Sequence, residues 1–237
     1  MSAGSWAAVV VAAGRGTRFG RPKQFLELAG TPMVGWSIRT FAGMPEVDEI
    51  VIVTEAEWLE RMRELVSTLV SRSIVVVAGG RSRQASVFAG LRAISQRCGA
   101  AFVHDGARPL VREPDVRAGM AEVRAGRGAL LAAPVVDTIK VVEARSRLVR
   151  STLDRSSLWA AQTPQFALRE DLLRAHARGV ADRVEATDDA ALLERIGVEV
   201  AVVPATAENF KVTLPEDVAR AEAFLRERAS ASSGRLT

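Results

Sequence analysis

"WAAVVVAAGRGTRFGRPKQF", residues 6–25, passes from small apolar side chains into a loop with three glycines and four cations, Arg15, Arg18, Arg21 and Lys23. The apolar run reads as a strand over 7–13, buried on both faces. It has the composition of a secretion-signal core, but no basic segment precedes it and it enters the glycines directly, so it is assigned to the fold. Glycines at a strand end let backbone N–H groups approach an anion closely, and the cations add charge. The decisive question is which anion, and whether it is held or broken.

Working outward, apolar β-branched runs alternate with helical patterns. Strands are expected at 48–54, 73–79, 100–105 and 128–136, with helices at 31–44, 55–70, 82–97 and 113–126 between them. Thr31 is expected at a helix N-cap with Pro32 as the first helical residue. All-apolar strands separated by helices make a mostly parallel sheet covered on both faces, a Rossmann-like α/β/α sandwich. The rhythm breaks over about 137–160, where alternation around the polar turn "EARSR" predicts a protruding β-hairpin arm. Such a hairpin needs something to pack on, and a second copy of the chain would supply it. Helices resume at 169–178 and 188–196, the latter capped by Thr187 or Asp188. A strand at 198–205, the short "NFKVT" and a helix over 215–228 complete the chain. The whole reads as one domain, 1–237, with a small, polar, disordered tail at about 229–237.

Composition narrows the class. Apolar residues at 48% and charged residues at 25% fit a soluble globular protein with no bilayer span, and one cysteine, Cys98, fits a reducing cytoplasm. The net charge of +4 is spread among 28 acids, with no tyrosine and no aromatic-studded basic stripe, so nucleic acid is not the expected partner. Only three of the 32 basic residues are lysine, Lys23, Lys140 and Lys211. In a chain that otherwise uses arginine, these positions call for a compact, mobile ammonium.

Ligands of an open parallel sheet gather beyond the carboxyl ends of its strands. There the first loop is no dinucleotide fingerprint: no acid stands about 20 residues on, and Pro22 interrupts the helix such a fold requires. No Gly-Lys-Ser/Thr follows, which excludes a Walker A loop. Gly79 and Gly80 let a base or ribose lie against the backbone, with Ser86 placed to read a polar edge. Asp105 and Arg108 sit on a tight turn after the fourth strand, suited to a hydroxyl or metal and to a phosphate. His104 reads as a packed strand-end residue, and His176, on a polar helix, is assigned no role.

Taken together, AAGRGTRFGRPKQF, GGRSRQAS, HDGARP, DTIK, LWAAQTPQ and NFKVT resemble, in order and spacing, the 2-C-methyl-D-erythritol 4-phosphate cytidylyltransferases of the non-mevalonate isoprenoid pathway. The resemblance covers about 6–226. It implies that CTP and methylerythritol phosphate give 4-diphosphocytidyl-methylerythritol and pyrophosphate, with Mg²⁺ and with no metal ligands assigned. On the same ground Ala13, Gly14 and Gly16 wrap the CTP, while Gly80 and Ser86 recognise the cytidine. Arg18 and Lys23 contact the phosphates and the transition state, with Lys211 at the acceptor phosphate; Asp105, Arg108 and Thr163 hold the acceptor. Thr138, which binds substrate, and Arg155, which is catalytic, reach in the family from the arm into the partner subunit's site, so a homodimer is implied. Arg81 departs from the pattern, standing where relatives often carry an acid.

The chemistry suits this inventory. A phosphate monoester, with a second pKa of about 6, is already mostly a dianion at neutral pH, so no general base is required. Bringing two polyanions into line requires cations. The alternative on the same scaffold is a ribitol 5-phosphate, or other polyol-phosphate, cytidylyltransferase. A nicotinamide-dependent reductase lacks its Tyr-x-x-x-Lys pair here, and a non-catalytic, basic nucleotide- or nucleic-acid-binding domain would be favoured by a flat response of its affinity to Lys23→Ala.

Overall fold

The computed structural model describes residues 4–14 and 22–233. Its sheet is built from β1 (Trp6–Val11), β4 (Val47–Thr54), β5 (Val75–Ala78), β6 (Ala100–Asp105), β7 (Gly128–Pro134), β10 (Trp159–Leu168) and β11 (Val200–Pro204). Two short pairs stand apart: β2 (Glu27–Leu28) with β3 (Thr31–Pro32), and β8 (Lys140–Val142) with β9 (Val149–Thr152). The seven strands lie in the order β11-β7-β10-β6-β1-β4-β5. All neighbouring pairs are parallel except those of β10, which runs antiparallel to both β6 and β7.

Strand alternation explains the two faces. Ala8 and Val10 of β1 point into one core, which receives Val34, Ile38 and Phe41 of α1 (Met33–Ala42), Met62 of α2 (Leu59–Leu69) and Met120 of α4 (Glu113–Arg124). Ala7 and Val9 point into the other, against Val87 and Leu91 of α3 (Arg83–Ala93), Leu172 of α5 (Arg169–Ala181) and Leu192 of α6 (Asp189–Arg195). A third apolar cluster seats α7 (Glu216–Ser233) through Ala221 and Leu225 against Leu28, Met33 and Leu110. Helix α3 lies close on the sheet at Gly90. A Cβ there would stand 2.6 Å from Val9 Cγ1 and 2.7 Å from Val53 Cγ2. That close approach fixes the helix that carries Arg83 and Ser86.

Several expectations change. Pro32 is the N-cap of α1 rather than its first residue, and no side chain caps that end. Thr31 and Pro32 pair instead with Leu28 and Glu27, and Thr31 Oγ1 accepts from Arg39 at 2.8 Å. Asp188, not Thr187, caps α6, accepting from the Ala191 amide at 3.1 Å. The expected hairpin pairs as a ladder over 140–142 and 149–152, but Trp159 and Ala160 belong to the main sheet, opposite Pro134 and Ala133. The polar tail expected from about 229 is helical as far as Ser233, because Ala229 and Ala231 favour a helix and the next glycine is Gly234. His176, assigned no role from the sequence, is fully buried. Arg18 and Gly16 lie outside the described residues.

Candidate active site

β4 and β5 lie on one side of β1 and β6 on the other, so the connections diverge between β1 and β6. A crevice opens at the carboxyl ends of the strands at such a switch point. Here it is a cleft of about 280 Å³ whose walls include Ala13 and Gly14 after β1, Gly80 after β5, and Asp105 at the end of β6. Lys23 and Lys211, nearly the whole chain apart in sequence, both line it.

Local structure explains each placement. The 3-10 turn Lys23–Phe25 brings Lys23 into the cleft, where its Nζ donates to the Val212 carbonyl at 2.9 Å. The segment around Lys211 is pinned to the turn after β6. The Val212 amide donates to Ala107 O at 2.8 Å, and Arg108 Nη1 donates to Asn209 O at 2.8 Å. Asn209 is buried and donates from Nδ2 to Thr163 O and Gln162 Oε1, both at 2.9 Å. Lys211 Nζ then reaches Asp105 Oδ2 at 2.7 Å.

The glycine pair is held tightly. The Gly80 amide donates to Ser86 Oγ at 3.1 Å, and that hydroxyl lies 2.9 Å from Ser82 O. A Cβ on Gly80 would come within 2.5 Å of Ala85 Cβ, so only glycine fits this approach. Ser86 lines the cleft, but its hydroxyl is engaged in shaping the loop.

Asp105 is the electrostatic centre. Burial would raise its carboxyl pKa, but Arg83, then Lys211 and Arg108, outweigh burial and hold it well below the usual carboxylate range. Arg83 Nε donates to Asp105 Oδ1 at 3.1 Å, and its Nη2 donates to Asp189 Oδ2 at 2.9 Å. Burial would lower the Arg83 pKa, yet Asp189 and Asp105 raise it, so the guanidinium stays charged. Behind Asp105, Thr163 Oγ1 accepts from the Asp105 amide at 3.0 Å and lies 3.2 Å from His104 Nδ1. His104 Nε2 faces the Arg108 carbonyl at 3.1 Å, a pure acceptor, so Nε2 carries the proton and Nδ1 accepts from Thr163. Burial lowers the imidazole pKa to about 4, so His104 is neutral at pH 7.

Ala13, Gly14, Lys23, Gly80, Ser86, Asp105 and Lys211 therefore come together around one cleft. Thr163 and Arg108 are not among the described residues that line it; they brace its wall from behind. Thr138 and Arg155 are exposed on the 137–158 segment, also off the cleft, and Arg155 Nη1 donates to Val136 O at 2.6 Å. Lys140 belongs to the same segment and donates to Thr152 Oγ1 at 2.7 Å. Sequence reasoning missed Arg83, Glu55 and Asp189. Arg83 stood inside the quoted motif GGRSRQAS, and the doublet Asp188–Asp189 was a signal too, since one carboxylate suffices for a cap. Arg81 also lines the cleft.

The family described as 2-C-methyl-D-erythritol 4-phosphate cytidylyltransferase matches residues 6–227. The protein of that name from Halalkalibacterium halodurans is 42% identical over 226 residues, 94% of this chain and 98% of its own. The one from Geobacter metallireducens is 42% identical, covering 93% and 97%. Among solved structures, the 4-diphosphocytidyl-2C-methyl-D-erythritol synthase of Anaerococcus prevotii superposes with a TM-score of 0.84 at 26% identity, over 94% of this chain and 96% of that one. The cytidylyltransferase of Thermus thermophilus gives 0.75 at 29% identity, over 92% and 98%.

Proposed function

Because the chain belongs to the 2-C-methyl-D-erythritol 4-phosphate cytidylyltransferase family, it is a nucleotidyltransferase that joins CTP to methylerythritol phosphate in isoprenoid biosynthesis, and we propose how its cleft does so. The acceptor phosphate attacks the α-phosphorus of CTP in line, the bond to the β-phosphate oxygen breaks, and pyrophosphate leaves. Ala13, Gly14, Gly80 and Ser86 form the nucleotide side of the cleft. Gly16 and Arg18 complete that side on the strength of the family resemblance. Asp105 takes hydroxyls of the acceptor, positioned by Thr163 and by the turn that Arg108 braces.

Lys23 and Lys211 line the same cleft, Lys23 being held to the carbonyl of Val212 beside Lys211, and their convergence there is the observation that carries the mechanism. Two ammonium groups aimed where charge accumulates stabilise the transition state without a proton transfer. The neutral His104 fits that account, since its Nδ1 accepts from Thr163 and its one N–H is given to the Arg108 carbonyl rather than to substrate.

Mg²⁺ suits the donor set as a metal that arrives on the triphosphate. Among the described residues no three His, Cys, Asp or Glu side chains gather to cage an ion. The carboxylates lining the cleft are Glu55 and Asp105, and Mg²⁺ commonly takes one or two carboxylates with water and substrate phosphates. Glu55 would complete its shell, since both Asp105 oxygens are engaged by Arg83 and Lys211. When bound, the ion supplies charge neutralisation at the phosphates.

A second copy of the chain is proposed to pack on the 137–158 segment. Val142, Leu148, Val149 and Leu153 are exposed there, an apolar surface that a partner would cover. Thr138 and Arg155 would then serve the cleft of the other copy, as the resemblance implies. The reaction is assigned to the cytoplasm, where CTP is made. Among the described residues no helix is long and apolar enough to cross a membrane.

The test is pyrophosphate release from CTP and Mg²⁺ with either methylerythritol phosphate or ribitol 5-phosphate. The family match favours release with the first. Release with ribitol 5-phosphate alone would keep the fold and the chemistry and overturn the acceptor.

A further inference from the structure

One buried chain of charges in the cleft wall has no part in the mechanism above. Asp189, at the start of α6, is 1% exposed. Its Oδ2 accepts from Arg83, and its Oδ1 lies 3.0 Å from His176 Nε2. Among the described residues His176 Nδ1 has no hydrogen-bond partner, and Nε2 donates to the Asp189 carboxylate. Phe88 stacks on that ring with centroids 5.9 Å apart. The Asp189 and Ala190 amides both donate to Gln165 Oε1 at 2.8 Å, which ties this end of α6 to β10. Asp189 is thus fixed on every side, and it anchors Arg83.

A buried ion pair is weak evidence for a purely stabilising role, since apolar side chains of the same volume often do as well. Here the charge has somewhere to act, because Arg83 also lines the cleft and holds Asp105. Asp105 therefore has two cationic partners of different mobility. Lys211 has a side chain 41% exposed, and among the described residues its ammonium bonds Asp105 alone, whereas Arg83 is bolted to Asp189. When Lys211 turns towards a phosphate, one partner of Asp105 leaves.

We propose that Arg83 is a positioning residue of the acceptor site, held in place by Asp189, which keeps Asp105 in its binding orientation once Lys211 has moved to the substrate phosphate. A planar guanidinium can bridge two carboxylates at fixed geometry, which an ammonium cannot. The proposal rests on the assignment of Asp105 to the acceptor given above.

The test compares Asp189→Asn, Arg83→Gln, Arg83→Lys and the double variant Asp189→Asn/Arg83→Gln by steady-state pyrophosphate release and by CTP titration. Asp189 is too deeply buried to touch substrate, so any effect on the acceptor must pass through its neighbours. Asp189→Asn and Arg83→Gln are each expected to raise the acceptor KM by about tenfold or more, as loss of alignment does. The CTP dissociation constant of Asp189→Asn should stay within about threefold of wild type, a change under 1 kcal/mol. The double variant should be no worse than Arg83→Gln, because both act through one contact. Arg83→Lys keeps the charge but loses the bridge, and its KM should fall between wild type and Arg83→Gln. Wild-type KM in folded Asp189→Asn and Arg83→Gln, or strictly multiplicative effects in the double variant, would overturn the proposal. If Asp189→Asn does not fold, the two Arg83 variants decide alone: a KM of Arg83→Lys equal to that of wild type overturns it. Should wild type use ribitol 5-phosphate instead, the functional reading fails, while the same comparison run with that acceptor still decides this one.

Discussion

Replacing Lys211 with Gln separates the catalytic reading of the cleft from a structural one. In the folded protein the ammonium lies 2.7 Å from Asp105 Oδ2, on a side chain that is 41% exposed. At that exposure solvent screens the pair, and its contribution to stability is about 0.2–1 kcal/mol. For a chain of this size that loss corresponds to a fall of about 4 °C or less in Tm. Asp105 would not be left alone, because Arg83 stays 3.1 Å from its other oxygen. The catalytic effect is of another order. Removing one preorganised group aimed at developing charge costs about 3–4 kcal/mol, or 10²–10³ in kcat. Lys211→Gln should therefore melt within a few degrees of wild type while kcat/KM for pyrophosphate release falls at least a hundredfold. The assay is a coupled pyrophosphate measurement at saturating CTP over a range of acceptor concentrations, with thermal unfolding in the same buffer. A kcat/KM within threefold of wild type would refute the reasoning. So would a fall of 10 °C or more in Tm, which would make Lys211 a structural residue.

Four further outcomes follow from the same geometry. Gly90→Ala drives a Cβ to 2.6 Å from Val9, and urea unfolding should show a loss of about 1–3 kcal/mol at unchanged m. Charge placed on the exposed apolar segment, as in Val149→Glu, should give monomers by light scattering and lose turnover with the fold intact; a fully active monomer would remove the second copy from the site. Chelation should abolish pyrophosphate release, and added Mg²⁺ should restore it with no change in circular dichroism, because no three-ligand cage exists among the described residues. His104 titrates at about 4 in the folded chain against 6.5 unfolded, so the unfolded state binds more protons between those values. Its contribution to stability is therefore complete above pH 6.5 and is lost as pH falls towards 4. Between pH 7 and 5 the loss is about 2 kcal/mol, and His104→Gln should flatten that slope in urea titrations.

The parallel part of the fold was legible because its strands are dominated by apolar β-branched runs that alternate with helical patterns. The strand at 159–168 was not, because Pro164 interrupts it and a proline in an apparent central strand argues against one. The chain accommodates Pro164 by shifting register between Ala161 and Gln165, so the strand exists where its sequence says it should fail. The cleft was legible wherever a glycine or lysine marked it. Arg83 and Asp189 were only marked, one by its motif and one by its doublet, and neither mark names the partner each would meet. Only packing reveals that they meet across residues distant in sequence.

The antiparallel strand also accounts for how a nearly parallel sheet presents an acceptor site at all. Running β10 between β6 and β7 puts Gln162, Thr163 and Gln165 beside the end of β6. Thr163 then fixes the Asp105 amide, Gln165 fixes the start of α6 and with it Asp189, and Gln162 with the Thr163 carbonyl holds Asn209 and the segment that carries Lys211. One short irregular stretch thus orients three separate parts of the site. A regular strand there would turn alternate side chains to opposite faces and could not direct consecutive residues to these partners. The break that hid β10 from the sequence pattern is therefore the feature that assembles the acceptor side of the cleft.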